Sequence, residues 1–206
     1  MALCGGSPEM QLSAVILAGG LSTRMGRDKA WVEWEGQPLL LRAGQTLRTL
    51  GVKEIFISGR AGEDYSALPY PVLLDRVPGF GPLGGIERAL QACVSPLLLV
   101  LAVDLPQMST AFLEKLVARC NPTTGVVPER RGQLESLAAI YPQRCHAMAT
   151  DFIANSRHAV RDFAAACCRQ GAVHFWSVTV EDEGCFTNFN HPADVVQARS
   201  GPNGGR

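Results

Sequence analysis

The sequence predicts an α/β fold: a single three-layer domain whose mostly parallel central sheet carries helices on both faces. Three observations lead there. Short apolar runs rich in branched residues alternate, at short intervals, with stretches of helical spacing. Those runs end abruptly in glycine-rich or acidic loops. The 206-residue chain is 47% hydrophobic and 18% charged, enough to bury a core without disulfide or metal staples.

The elements follow in order. Ala14-Val15-Ile16-Leu17 breaks into Ala18-Gly19-Gly20 and reads as a buried strand entering a loop. Residues 30–35 (AWVEWE) alternate like a strand, and Gly36-Gln37-Pro38 turns the chain. Residues 39–50 place Leu40, Ala43, Leu47 and Leu50 on one helical face, and Gly51 ends that helix. Residues 54–58 (EIFIS) and 72–74 (VLL) are the next strands. After the loop 78–85, a helix runs over 86–92. Residues 96–103 are the most apolar segment and predict a central strand ending at Asp104. Ser109 is suited to cap a helix reaching Arg119.

The second half is less regular. Strands are expected at 125–127 and 136–141 across a polar turn at 129–133, helices at 144–155 and 159–169, and a strand at 173–180. Asn190-His191-Pro192 opens a last short helix, with Pro near its first position. No repeat or linker interrupts residues 1–206, so one domain is expected, with 1–11 and 200–206 as flexible tails.

Composition narrows the function. Lys plus Arg and Asp plus Glu each number 19, for a formal net charge of +0. That argues against disorder and against an electrostatically driven nucleic-acid binder. The seven cysteines are odd in number and contain no C-x-x-C pair, as expected of free thiols in a reducing compartment. The N-terminal MALCGGSPEMQ lacks a basic stretch followed by an apolar one, and no apolar run approaches the ~20 residues of a membrane span. A cytoplasmic protein without membrane partners is expected.

In open α/β sheets, ligands bind beyond the carboxyl ends of the strands, so residues just after the apolar runs are the candidates. The first loop reads Leu17-Ala18-Gly19-Gly20-Leu21-Ser22-Thr23-Arg24-Met25-Gly26-Arg27-Asp28-Lys29. Its glycines let the backbone approach a ligand closely, and exposed N–H groups suit a phosphate chain. Arg24 can grip phosphate as a fork and Lys29 as a point charge. A tight strand connection with solvated basic residues would use the same residue types. The loop is neither G-x-x-x-x-G-K-[ST] nor G-x-G-x-x-G. Asp104 and Asp75 each end an apolar run. A carboxylate at such a place is costly to bury unpaired; it can face a hard cation and phosphates or cap the next turn.

L-A-G-G-x-S-x-R-M-G-x-D-K closely resembles the signature loop of the Rossmann-like nucleotidyltransferases. The L-A-G-G, R-M-G and D-K groups are most similar to those of the molybdenum cofactor guanylyltransferases; related cytidylyltransferases usually carry L-A-A-G. The resemblance spans roughly residues 12–198, and its sharp motifs lie in the loops. It implies a Rossmann-like domain that transfers GMP from Mg²⁺-GTP to the terminal phosphate of molybdopterin or molybdenum cofactor. The implied catalytic residues are Arg24, Lys29 and Asp104, with Asp104 also the metal ligand. The implied nucleotide contacts are Leu17, Ala18, Gly19, Gly20, Lys29, Ser58, Asp75, Gly84 and Asp104.

Val103-Asp104-Leu105-Pro106 matches the family's Asp-x-Pro segment, and Asp75 with Gly81-Pro82-Leu83-Gly84-Gly85 matches its second glycine loop. Ser58-Gly59-Arg60 departs from an N-x-N-R segment, losing the amide. Asn188 and Asn190, in Asn188-Phe189-Asn190-His191-Pro192, resemble the family's N-x-N-T-P segment and are the implied acceptor contacts, although Asn190 would equally cap the helix at Pro192. Mg²⁺ is the implied cofactor. GTP and molybdopterin are the implied small-molecule partners, alongside other cofactor-biosynthesis proteins, and a monomer is expected. The alternatives are another nucleotidyltransferase, using CTP or a sugar phosphate, and a nucleotide-binding module without turnover. His146, His158 and His174 lack metal-ligand spacing and read as surface or packing residues. Trp31 and Trp34 read as packing, and Glu129-Arg130-Arg131 reads as a solvated turn or a neighbour of an anionic substrate.

Overall fold

The computed structural model describes residues 11–19, 29–66, 68–75 and 79–188. β1 (Leu12–Leu17) is followed, after a 3-10 turn at Lys29–Trp31, by the two-residue strands β2 (Glu33–Trp34) and β3 (Gln37–Pro38). Then come α1 (Leu39–Thr49), β4 (Glu54–Gly59), β5 (Val72–Leu74), α2 (Pro82–Ala92), β6 (Leu97–Ala102) and α3 (Thr110–Val117). The second half holds β7 (Gly125–Arg130), β8 (Gln133–Leu134), β9 (Ala138–Pro142), α4 (His146–Ala154), α5 (Val160–Arg169) and β10 (Val173–Ser177), and a 3-10 segment at Val180–Phe186 ends it.

Seven strands run in the order β10-β7-β9-β6-β1-β4-β5, and β8 pairs with β7 to make the sheet eight-stranded. β1 lies parallel between β4 and β6, β5 parallel to β4, and β10 parallel to β7. β9 runs antiparallel to both β6 and β7. The sheet is therefore mostly parallel, as the apolar runs predict.

Strands buried on both faces explain the continuous apolar runs. Ala14, Ile16, Ile55, Ile57, Leu99 and Leu101 face one way and pack with Leu40 and Leu47 of α1 and Phe112 and Leu116 of α3. Val15, Leu17, Phe56, Leu98 and Val100 face the other way, against Leu83, Ile86 and Leu90 of α2, Phe152 of α4 and Phe163 of α5. The result is helix, sheet, helix.

Several local expectations differ from the structure. Residues 30–35 are not one strand: Ala30 and Trp34 are buried, and positive φ at Glu35 and Gly36 turns β2 back onto β3 as a separate hairpin. α2 begins at Pro82 rather than residue 86, with Pro in its first turn, where a missing N–H costs nothing. The strand expected over 173–180 stops at Ser177. Ser109 does cap α3, its Oγ accepting from Phe112 N at 3.1 Å. Among the described residues, no helix is long and apolar enough to cross a membrane, and the six described cysteines are free.

Candidate nucleotide-transfer site

The register sets the site. Leu17 pairs with Ser58 on one side and with Ala102 on the other, and Ser58 pairs with Leu73. Four parallel strands therefore end level, at one rim. Backbone bonds extend the pairing beyond the strands: Ala18 N donates to Ser58 O at 3.0 Å, and Val103 N donates to Leu17 O at 3.2 Å. Leu17, Ala18, Gly19, Ser58, Asp75 and Asp104 thus share this rim. Because β9 runs antiparallel, its first residue, Ala138, lies opposite Leu101 and brings the 134–138 segment to the same rim.

A cavity of about 600 Å³ opens on the β9 side of Asp104. Asp104 is half-buried, and the other walls include Pro82, Ser136, His158, Arg161 and Asn188. Asp104 and Asn188, singled out separately in the sequence, therefore line one cavity. Gly20, Arg24 and Asn190 lie outside the described residues. Of Lys29 only the backbone is described, opening the 3-10 turn before β2.

On the other side of β1, the first turn of α2 is pressed onto the strand ends. A Cβ on Gly84 would stand 2.9 Å from Asp75 Cγ, and one on Gly85 would collide with Ser58 Oγ. Glycine is required at both positions because helix and strand ends leave no room for a side chain. Gly19 differs: a Cβ there would meet only ordinary contacts, the nearest at 3.5 Å to Arg60 Cγ. Ser58 is buried, with its hydroxyl beneath α2.

Asp75 is half-buried. Its Oδ1 is shielded from water and has no hydrogen-bond partner among the described residues. Burial raises its carboxyl pKa above the ordinary 3.8; the charge of Glu87 adds to this and that of Arg88 opposes it. A buried polar oxygen left so costs about 1–3 kcal/mol until something donates to it, which suits a polar ligand arriving at this rim.

Two contacts made by α2 and the loop before it escape the sequence. Phe80, in the loop before α2, stacks on His158, which precedes α5, with 4.4 Å between centroids. The contact joins the glycine loop to the wall of the Asp104 cavity. Glu87 of α2 is buried and its Oε1 lies 2.9 Å from Nε2 of His146, the first residue of α4. Its signal was in the sequence: Glu87 falls on the helical face of Leu83 and Leu90, where an apolar residue is expected. The turn expected over 129–133 shrinks to Arg131 and Gly132, because β7 runs on to Arg130 and β8 starts at Gln133; Arg130 Nε donates to Glu135 at 2.8 Å, and Arg131 pairs with Glu183.

The cavity beside Asp104 is rich in oxygen side chains, among them Glu135, Ser136, Asp162 and Asn188, with His158 on the same wall. Among the described residues, no group of three or more His, Cys, Asp or Glu side chains is placed to hold a metal ion. A carboxylate at the rim, with further carboxylate, hydroxyl and amide oxygens along the cavity, fits a magnesium ion that draws its remaining ligands from phosphates and water.

Comparison with known proteins places the chain in a family. The MobA-like NTP transferase domain matches residues 14–173. The probable molybdenum cofactor guanylyltransferase of Opitutus terrae is 33% identical over 191 residues, which is 91% of this chain and 95% of that protein. The molybdenum cofactor guanylyltransferase of Xanthomonas euvesicatoria pv. vesicatoria is 40% identical over 107 residues, 52% of this chain and 53% of that one. Among solved structures, molybdopterin-guanine dinucleotide biosynthesis protein A from Archaeoglobus fulgidus superposes with a TM-score of 0.71 over 91% of this chain and 97% of that one, at 21% identity; at that identity it shows the fold. The chain is a nucleotidyltransferase and belongs to the MobA-like NTP transferase family, alongside the molybdenum cofactor guanylyltransferases.

Proposed function

We propose that the chain transfers GMP from GTP to the terminal phosphate of molybdopterin or molybdenum cofactor, forming a guanine dinucleotide cofactor and releasing pyrophosphate. The observation that carries the reading is the placement of Asp104. It stands between a glycine-rich strand end, Leu17-Ala18-Gly19, and a cavity large enough for a second substrate. The donor nucleotide takes the β1–β4–β5 side of the rim, and the acceptor takes the cavity.

An oxygen of the acceptor phosphate attacks the α-phosphorus of GTP as the bond to the β-phosphate breaks, and the electron pair leaves on pyrophosphate. The attacking phosphate is already ionised, so the site needs positioning and charge stabilisation rather than a strong base. Arg24, Lys29 and the amides of Gly19 and Gly20 hold the phosphates. Asp75 accepts from the nucleoside, Ser58 and Gly84 shape the floor beneath it, and Asn188 and Asn190 orient the acceptor. Asp104 would hold a magnesium ion, which when bound neutralises phosphate charge in the transition state. The setting is the cytoplasm, and the working unit is a monomer.

Purified chain incubated with molybdopterin, Mg²⁺ and labelled GTP is expected to yield labelled dinucleotide and pyrophosphate. Turnover with CTP or ATP in place of GTP would overturn the guanine assignment. Binding of GTP without any product would favour a binding module.

A further inference from the structure

Glu87 is the one strongly buried carboxylate among the described residues, and nothing in the transfer chemistry above uses it. It lies one helical turn after Gly84, on the same side of α2, and Asp75 is pressed against Gly84. Two carboxylates therefore share the space between the end of β5 and the first turns of α2. Each has a separate counterweight. His146 of α4 holds Glu87 Oε1 at 2.9 Å, while Thr150 of the same helix lies 3.5 Å from that imidazole nitrogen. Arg88 of α2 reaches back to donate from Nε to Leu74 O at 3.3 Å, next to Asp75 in sequence.

Among the described residues, the charged groups bearing on Asp75 are Glu87 and Arg88. β4 contributes only the hydroxyl of Ser58 nearby. The group bearing on Glu87 from α4 is His146.

We propose that Glu87 is a positioning residue for the donor site that acts through Asp75: its carboxylate, fixed by His146, sets the acid limit at which Asp75 can receive the nucleotide. The inference rests on the donor-site reading given above. A carboxylate accepts two N–H or O–H donors from a nucleoside only when ionised; once protonated it becomes a donor itself. A second negative charge close by, in a space with little water, resists that ionisation. Burial and Glu87 both push the Asp75 carboxyl up. GTP binding then draws a proton off Asp75 as the pH falls toward its raised pKa, and weakens as the pH falls further.

The test is calorimetric titration of the full chain with GTP and Mg²⁺, from pH 5 to 8, in two buffers of different ionisation enthalpy. Glu87→Gln keeps the shape and removes the charge; Glu87→Met removes it while keeping a helix-favouring, apolar side chain. In the wild type, binding is expected to release protons on the acid side. In both variants the acid limb is expected to move to lower pH, with the proton release diminished. A limb that stays put in a variant that melts like the wild type overturns the proposal. Failure of the wild type to bind GTP at any pH would instead overturn the donor-site reading. In that event the Asp75 carboxyl, followed by ¹³C NMR in the ligand-free chain and assigned with Asp75→Asn, still decides the coupling. A lower midpoint without Glu87 supports it, and an unchanged one overturns it.

Discussion

The ring of Phe80 lies 4.4 Å from the imidazole of His158, centroid to centroid, with 18° between their planes. Phe80 belongs to the loop that starts α2, and His158 to the wall of the cavity containing Asp104. The stack fixes the distance between the two halves of the site. Aromatic pairs of this kind contribute ~0.5–1.5 kcal/mol beyond the area they bury. Phe80→Ala is expected to raise KM for both substrates about 3–10-fold, and Phe80→Tyr to leave both nearly unchanged. Steady-state kinetics with each substrate varied in turn checks this.

Asp104 is half-buried just beyond β6 and lines the cavity, and Asn keeps its shape while removing its charge, so this change should cost chemistry rather than fold. Asp104→Asn is expected to lower kcat by ~10²–10³-fold, the scale seen when one transition-state charge contact is lost. The melting temperature should stay within ~1 °C. Parallel rate assays and thermal melts separate the two effects.

For Asp75 the sign runs the other way. Its folded pKa lies above its ordinary value of 3.8, chiefly from burial. The native state therefore holds that proton more tightly than the unfolded chain. Stability linked to the proton is present below the unfolded value and is lost as pH rises through the folded one. Asp75→Asn should thus stabilise the ligand-free protein at pH 7, by no more than ~1–2 °C because the group is half open to water. The same variant should bind GTP worse. Melts at pH 4 and pH 7, paired with GTP titrations, check both.

Gly85 tests the close contact between α2 and β4. An added methyl would collide with Ser58 Oγ and stand 3.1 Å from Leu17 Cδ2. Overpacking of this kind costs ~1–3 kcal/mol, so Gly85→Ala should lower the denaturation midpoint in urea. Adding Ser58→Gly removes the atoms it strikes and should recover part of that loss.

Much of this architecture could be read from local pattern. The apolar run at 96–103 became β6, and Ser109 became a cap. These features depend on nearest neighbours or on strand ends, which a linear sequence displays. The hairpin at 33–38 was misread because alternation alone cannot tell a sheet strand from a short arm whose Trp34 reaches back into the core. Glu87 with His146, and Phe80 with His158, could not be paired at all. Each contact joins helices or loops far apart in the chain, chosen by how α2 packs against α4 and how the loops before α2 and α5 meet rather than by spacing.

The antiparallel course of β9 has a consequence for how such an enzyme can diversify. Nearly everything assigned to the donor nucleotide comes from the chain up to Asp104. Most of the wall assigned to the acceptor comes from residues 134–162 and Asn188. The seam between these contributions follows the β6–β9 pairing, which is held by backbone bonds indifferent to side-chain identity. A lineage could therefore exchange the second half as a block, acquiring a new acceptor while its nucleotide chemistry stays untouched.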